Sequence, residues 1–319
     1  MVKRINIGVV GLGSMGRNHV RVATINPFVK NVYVFDANRS AIDGAVSDFG
    51  VSGSRTLEEL FELSDAIIIA SATSSHYEVA MKALSYERHC LIEKPITETL
   101  SQAQELLELA TCNKCIVSVG HIERFNPVFV EVCNILKSEK AYFFTAERLS
   151  YNINRANDVS VILDLMIHDL DVMNYLSGGL SVLKSCIGNC FVSPKYDFVT
   201  ANFASQSAIF NLTASKVSQT RNRKLKISCE DCFIEADYIM RQVVVTRNGS
   251  SQYLQRSRQV GYKQQAIIEQ VLVPSIEPLL AEQVDFLKSI IEMRPPSVSV
   301  EDGISALSLA LSIESALKS

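Results

Sequence analysis

Asp164 and His168 stand four residues apart in the otherwise apolar run VILDLMIHDLD, residues 161–171. On an α-helix that spacing brings a side chain back to within about 40° of the same face, so a carboxylate and an imidazole can touch or aim at one object. Histidine titrates near neutrality, and a neighbouring carboxylate orients its ring and raises its basicity. The pair is therefore suited to take the proton of a substrate hydroxyl as hydride departs. Taken alone, it reads better as a capping or salt-bridged aspartate beside a core histidine. Lys94, in HCLIEKP, is a second candidate. A lysine at a strand exit, followed by proline, can present a cation or a neutral amine to a cofactor and stabilise a developing alkoxide. Position alone weighs this equally with a solvated surface lysine.

The cofactor is written in INIGVVGLGSMG, where a β-branched strand runs into Gly11-x-Gly13-x-x-Gly16 and then an apparent helix. Gly11 permits the tight turn, Gly13 lets the backbone approach a pyrophosphate, and Gly16 allows close helix–sheet packing. The helix start at Ser14 and Met15 offers N–H groups to the phosphates. Asp36 ends a second strand, NVYVFD, about 20 residues beyond the glycines, where a carboxylate accepts hydrogen bonds from ribose hydroxyls and repels a 2′-phosphate. NAD is favoured over NADP, with Arg39 near enough in sequence to soften the preference.

These groups need a scaffold. Strands and helices alternate through DAIIIASA, HYEVAMKALSY, HCLIEKP, TLSQAQELLELA and CIVSVG, the pattern of an α/β doubly wound parallel sheet over residues 1–121. Ligands of such sheets gather beyond the strands' C-terminal ends. Ser71, Thr73 and His76, then Glu93 and Lys94, then Gly120 and His121, are expected there; His19 and His89 read as satisfied or solvated. Residues 122–319 follow a different pattern, in which successive β-rich runs with short polar turns imply an α+β domain on a largely antiparallel open sheet, for substrate binding and oligomerisation. Two amphipathic helices close the chain, the last free to pack back on the first domain, and residues about 248–275 read as a long loop.

At 319 residues, 47% hydrophobic and 20% charged, the chain has ample core for two domains. Its formal charge of −3, without a basic block, argues against a nucleic-acid partner. No run reaches the roughly 20 apolar residues of a membrane span. The start MVKRINIGVVGLG mimics a signal peptide but lacks a small-residue cleavage site, so the expectation is a cytoplasmic protein. Cys112-x-x-Cys115 and Cys229-x-x-Cys232 allow a zinc reading, against which stands the commoner use of cysteine as a buried small residue; no metal is expected.

GLGSMG, EKP, GHIERFNP and DLMIHDLD, in this order, resemble the Gfo/Idh/MocA family of NAD(P)-dependent sugar and cyclitol oxidoreductases across essentially the whole chain. The resemblance implies a catalytic group of Lys94, Asp164 and His168, with Arg124 beside the cofactor and the substrate. Substrate contacts are further expected from His121, Asn126 and Arg148, while Arg221, Arg223 and Lys224 are candidates for a nucleotide sugar's negative charge, weighed evenly against simply solvating a strand end. ASKVSQTRNRKLKISC, IEPLLAEQVDFL and SVEDGISALSLAL look like the branch that oxidises C3 of UDP-N-acetylglucosamine, ahead of an aminotransferase that makes 2,3-diamino sugars for lipid A or surface polysaccharide. A homo-oligomer, dimer or tetramer, is also implied. The rivals are oxidation of another polyol such as an inositol, and a non-catalytic NAD-binding regulator. Two features depart from the family's usual pattern. ANDVSVILD has no glycine-rich stretch before the Asp-x-x-x-His helix, and Lys216 stands where an arginine is more usual.

Overall fold

The computed structural model describes residues 3–151, 159–179, 181–256 and 259–318. Two compact units emerge: residues 1–125 with 276–308, and residues 126–275 with 309–319. Residues 276–308, placed from sequence in the second domain, thus cluster with the first.

The first unit runs β1 (Ile5–Val10), α1 (Ser14–Ile25), β2 (Val29–Phe35), α2 (Arg39–Phe49), β3 (Ser52–Gly53), α3 (Leu57–Leu63), β4 (Ala66–Ile69), α4 (Thr73–Ser85), β5 (His89–Glu93), α5 (Leu100–Cys112) and β6 (Val117–Gly120). Its six strands lie in the order β3-β2-β1-β4-β5-β6, and every pairing is parallel. A central parallel strand is covered on both faces. Accordingly β4 reads Ala-Ile-Ile-Ile with every residue fully buried. Helix starts are marked by side chains that satisfy orphan N–H groups: Asn38 for α2, Thr56 for α3, and a reciprocal Thr99–Gln102 capping box for α5. Strand order reverses between β1 and β4, and there the loops diverge to leave a crevice.

The second unit opens with α6 (Pro127–Leu136) and β7 (Ala141–Tyr151). A π-helical turn, Ile162–Met166, runs into α7 (Ile167–Leu176). There follow β8 (Val182–Asn189), β9 (Phe198–Ala204), β10 (Ile209–Ser215), β11 (Val217–Cys229), β12 (Cys232–Asp237), β13 (Gln242–Arg256) and β14 (Gln259–Val271). These eight strands form one sheet, β14-β13-β12-β11-β7-β10-β9-β8, antiparallel except where β7 meets β10. Period-two alternation is plain in β9, where Val199, Ala201 and Phe203 are buried. Those side chains join the Phe144–Phe210 stack, 4.5 Å between centroids, and Met166, Leu170 and Met173 in one apolar layer.

The expected loop at 248–275 instead holds the end of β13 and all of β14, a long antiparallel hairpin from Val243↔Val271 to Arg256↔Gln259. Residues 266–270 are exposed at successive positions, so no buried face imposes a period of two. Backbone pairing, which the side-chain pattern does not report, makes the strand.

Two helices close the chain: α8 (Pro278–Glu292), in the first unit, and α9 (Val300–Ala316), whose residues divide between the two. No described helix is long and apolar enough to cross a membrane. None of the eight cysteines, all described, forms a disulfide, and among the described residues no group of three or more His, Cys, Asp or Glu is gathered as a metal would need. Cys229 and Cys232 flank the β11–β12 turn, and burial pushes both thiols up, Cys229 to about 12.

Candidate active site

β1 delivers the chain to Gly11, which turns it at φ +89°. A Cβ at Gly11 would lie 2.5 Å from the Ser71 backbone, and one at Gly16 would lie 1.8 Å from the Gly11 carbonyl oxygen. Both positions demand glycine because the loop, α1 and the β4 exit are pressed together. Gly13 has nothing within 4 Å of the place its Cβ would take, so that side of the loop is open. Gly13 is also the N-cap of α1. It supplies no capping side chain, and the first turn holds no acidic residue, leaving the helix-start N–H groups to an incoming anion. Gly16→Ala is expected to cost about 1–3 kcal/mol by overpacking and to abolish cofactor binding; a melting curve and an NAD titration read the two effects.

A cleft of about 510 Å³ opens here, lined by Gly11, Gly13, Asp36, Ala70, Ser71 and Ala72 among others. Asp36 accepts the Leu12 N–H at 2.7 Å through Oδ2 and the Asn38 N–H at 2.8 Å through Oδ1. The two bonds fix the carboxylate at the cleft, and each oxygen keeps a lone pair for a ribose hydroxyl. An anion-ready helix start at one end and a fixed carboxylate at the other suit a dinucleotide.

Three further residues expected to touch the cofactor, Arg39, Thr73 and His76, are placed as follows. Arg39 is exposed and pairs with Asp43 at 3.2 Å, one turn along α2. Thr73 opens α4, half-buried and outside the cleft lining. His76 is buried, with Nδ1 3.0 Å from the Pro95 carbonyl oxygen and Nε2 3.1 Å from that of Ser71. Both ring nitrogens thus face backbone acceptors. A neutral ring has one proton for two carbonyls, and burial, only partly opposed by those carbonyls and by Glu93, lowers its pKa. The ring thereby bridges the two loops. Beside it the Lys94–Pro95 peptide is cis.

Glu93 ends β5, buried, and accepts the Lys94 backbone N–H at 3.2 Å. Burial drives its carboxyl toward the neutral form, but the His19 hydrogen bond, the Lys94 charge and that N–H together hold it below the usual carboxylate range. Glu282 of α8 shows the reverse. It is fully buried, and neither carboxyl oxygen has a hydrogen-bond partner among the described residues. Burial and the Glu93 and Asp285 carboxylates raise its pKa well above the ordinary value. The folded chain therefore keeps a proton that the unfolded chain releases above about pH 4.3, and stability falls as pH rises beyond that point. Glu282→Gln is expected to raise the melting temperature more at pH 8 than at pH 4, which a pair of thermal scans would show.

His121 is buried, its carbonyl accepting the Arg124 N–H at 3.0 Å in a tight turn. Arg124 is buried too, its guanidinium 3.0 Å from Asp302 of α9. That pairing anchors the turn, a duty the motif did not announce.

In the second unit Asp164 lies in the π-helical turn and His168 in the first turn of α7. A π turn holds more residues than the 3.6 of an α turn, so a four-residue step still returns to the same side. Both residues are half-buried. Lys216, after β10, places Nζ 3.0 Å from Asp164 Oδ2 and 2.8 Å from the Val159 carbonyl oxygen. It is a cation that holds the carboxylate. Arg148 of β7 forks onto Asp169 with two bonds of 2.9 Å, both side chains buried. Asp169 follows His168 directly, so the fork orients the helix that carries the imidazole. Asn126 Oδ1 accepts the Val128 N–H at 3.1 Å, capping α6. Arg221 is exposed on β11, within a stretch that leaves register with β7 between Val217 and Asn222. Lys224 pairs with Asp237 at 3.5 Å. Residues 156–158 of ANDVSVILD lie outside the described residues.

Residues 5–121 match the family model described as GFO_IDH_MocA, an oxidoreductase family with an NAD-binding Rossmann fold. Over 313 residues, 98% of this chain and 96% of the relative, the sequence is 29% identical to the UDP-N-acetylglucosamine 3-dehydrogenase of Acidithiobacillus ferrooxidans. A solved structure of that enzyme superposes with a TM-score of 0.88 at 27% identity, covering 99% of this chain and 98% of the other. Residues 5–121 thus form an NAD-binding Rossmann domain of the Gfo/Idh/MocA type. More partial likenesses are to glucose-6-phosphate 3-dehydrogenase of Bacillus subtilis, 31% identical over 41% of this chain and 37% of that one, and to inositol 2-dehydrogenase 2 of Saccharopolyspora erythraea, 28% identical over 54% of each.

The matched domain is the NAD-binding part of an oxidoreductase, and the relatives named here are sugar and inositol dehydrogenases. The glycine loop, Asp36 and Ser71 meet at one cleft, as their spacing predicts. Sequence reasoning missed the clamp on Asp164, because Lys216 stands out along the chain only as a replacement for an arginine. A cation just past a strand, in a segment preceding the basic run at 221–224, gives no sign of reaching back to Asp164. Only the sheet's register brings it there.

Proposed function

We propose that the whole chain is a Gfo/Idh/MocA enzyme that oxidises the C3 hydroxyl of a UDP-N-acetylglucosamine-type nucleotide sugar to a 3-keto sugar, using NAD. Full-length similarity to the A. ferrooxidans enzyme carries this reading: it extends over 98% of the chain, whereas the inositol dehydrogenase likeness reaches 54%. NAD, when bound, supplies the acceptor for the hydride leaving C3. His168 takes the hydroxyl proton, Asp164, held by Lys216, orients the ring, and Lys94 hydrogen-bonds the oxygen as its charge develops. Gly13 and the start of α1 hold the pyrophosphate, and Asp36 the adenosine ribose. Arg221, exposed on β11, offers charge to the substrate's diphosphate.

The product suits a cytoplasmic aminotransferase that replaces the keto oxygen with an amine, on the way to 2,3-diamino sugars of lipid A or surface polysaccharide. Assembly as a dimer or tetramer would use the sheet face turned away from the core. Phe143 and Ile209, register partners there, are both exposed. Light scattering gives the subunit number, and a monomer would remove that part of the reading.

The deciding experiment mixes protein, NAD and UDP-N-acetylglucosamine, with 2-oxoglutarate in a parallel sample. Mass spectrometry is expected to find a nucleotide sugar lighter by two hydrogens. Its absence from both samples, with NAD binding demonstrated, overturns the substrate and directs the search to inositols and other cyclitols. A blank panel there would mark an NAD-binding regulator.

A further inference from the structure

His19 lies on α1, three residues beyond Gly16, fully buried. Its Nε2 is 3.0 Å from Glu93 Oε1. On its other side Gln283 of α8, which arrives from 264 residues away in sequence, places Nε2 3.2 Å from His19 Nδ1 and 3.0 Å from the His19 carbonyl oxygen. A carbonyl oxygen only accepts, so the Gln283 atom facing it must be the amide nitrogen. That nitrogen's second hydrogen then points at Nδ1, which must be the ring's acceptor. The imidazole proton is thereby placed on Nε2, where it donates to Glu93. Glu93 uses its other oxygen, Oε2, for the Lys94 backbone N–H at 3.2 Å. An unbroken chain of directed hydrogen bonds runs from α8 through α1 to the peptide of Lys94.

Gly120 of β6 completes the seat. A Cβ there would lie 3.1 Å from Glu93 Cα and 3.2 Å from Oε2, so a larger residue would press on the carboxylate. The charged and titratable groups facing Glu93 are His19 on α1, His76 on α4, Lys94 beside it, and Glu282 on α8, with Asp285 beyond. Among them the Nε2–H of His19 is the donor that an ionised, buried carboxylate requires.

We infer that His19 and Gln283 are positioning residues for Lys94: by fixing the imidazole proton on Nε2 they hold Glu93 as a buried anion against the lysine, which sets the lysine's charge and aim. The inference rests on the reading of Lys94 as part of the catalytic group, but its physical content, an anion maintained by His19, is separate from any substrate.

The test follows Lys94 in the full chain without substrate. An amine-reactive reagent labels lysine only as the neutral amine, so the pH dependence of labelling of the Lys94 peptide, read by mass spectrometry, gives the lysine's own titration. Removing a buried opposite charge from beside an ammonium lowers its midpoint by about 1–3 pH units. Glu93→Gln keeps the shape and removes the charge, and is expected to show that fall. His19→Leu removes the donor, so the stranded carboxylate takes up a proton, and Lys94 is expected to titrate lower by about one unit. His19→Gln retains an N–H toward Glu93 and is expected to keep the wild-type midpoint. An unmoved midpoint in Glu93→Gln overturns the anion. A fall in Glu93→Gln with none in folded His19→Leu overturns the part given to His19, and a fall in His19→Gln equal to that of Glu93→Gln does the same should the Leu variant not fold. Failure to oxidise UDP-N-acetylglucosamine would leave these midpoints where they are and count against the substrate alone.

Discussion

His168→Ala is expected to lower kcat for sugar oxidation by about 10²–10⁴-fold, the usual worth of a positioned general base, while NAD binds as in the unaltered enzyme. The side chain belongs to the second unit, and the glycine loop, Asp36 and Ser71 that line the cofactor cleft all belong to the first. Losing the imidazole is therefore expected to remove a proton acceptor while every residue that lines the cleft is retained. Because the interaction is used as the proton departs, kcat and kcat/KM are expected to fall together. Steady-state kinetics beside an NAD titration by fluorescence separate the two effects, and unchanged turnover would remove His168 from the mechanism. Lys216→Met is expected to do less, since it frees Asp164 from its clamp but leaves the imidazole in place.

Arg148→Ala is expected to destabilise the folded chain by about 3–5 kcal/mol, the cost of stranding a buried charge. Arg148 and Asp169 are both buried, joined by two bonds of 2.9 Å, and removing the fork leaves the Asp169 carboxylate without its cation. Replacing both residues together with apolar side chains of similar volume should recover most of the loss, because neither charge then remains to be satisfied. Denaturant titration of the two single variants and the double variant reads this directly. The alternative, that Arg148 is the substrate contact expected from the sequence, predicts a raised KM with stability unchanged. The difference matters for the site, since Asp169 is the residue next to His168.

Where an interaction is local, it was legible. The turn at Gly11, the close packing at Gly16, the helix start after Gly13 and the carboxylate of Asp36 are spaced by the geometry of a single strand–helix–strand unit. A few dozen residues are enough to specify them. The i, i+4 relation of Asp164 and His168 is equally local, and it survives even though the turn is π rather than α. The parallel sheet followed from alternating strands and helices, and β9 from its alternation of buried and exposed residues.

Partnerships between distant residues were not legible. Buried polar atoms must find partners, but a sequence does not say which, because the choice depends on strand register and helix placement summed over the whole fold. Asp302 for Arg124, Asp169 for Arg148, Lys216 for Asp164 and Gln283 for His19 lie 178, 21, 52 and 264 residues away. The hairpin of β13 and β14 escaped for a related reason: backbone pairing builds it, and the exposed residues 266–270 carry no buried face to mark it. The sequence by itself determined the cofactor fold and the residue types able to do the chemistry. The tertiary structure alone decided which of those residues are held by which neighbours, since a buried charge is satisfied by proximity in space rather than along the chain.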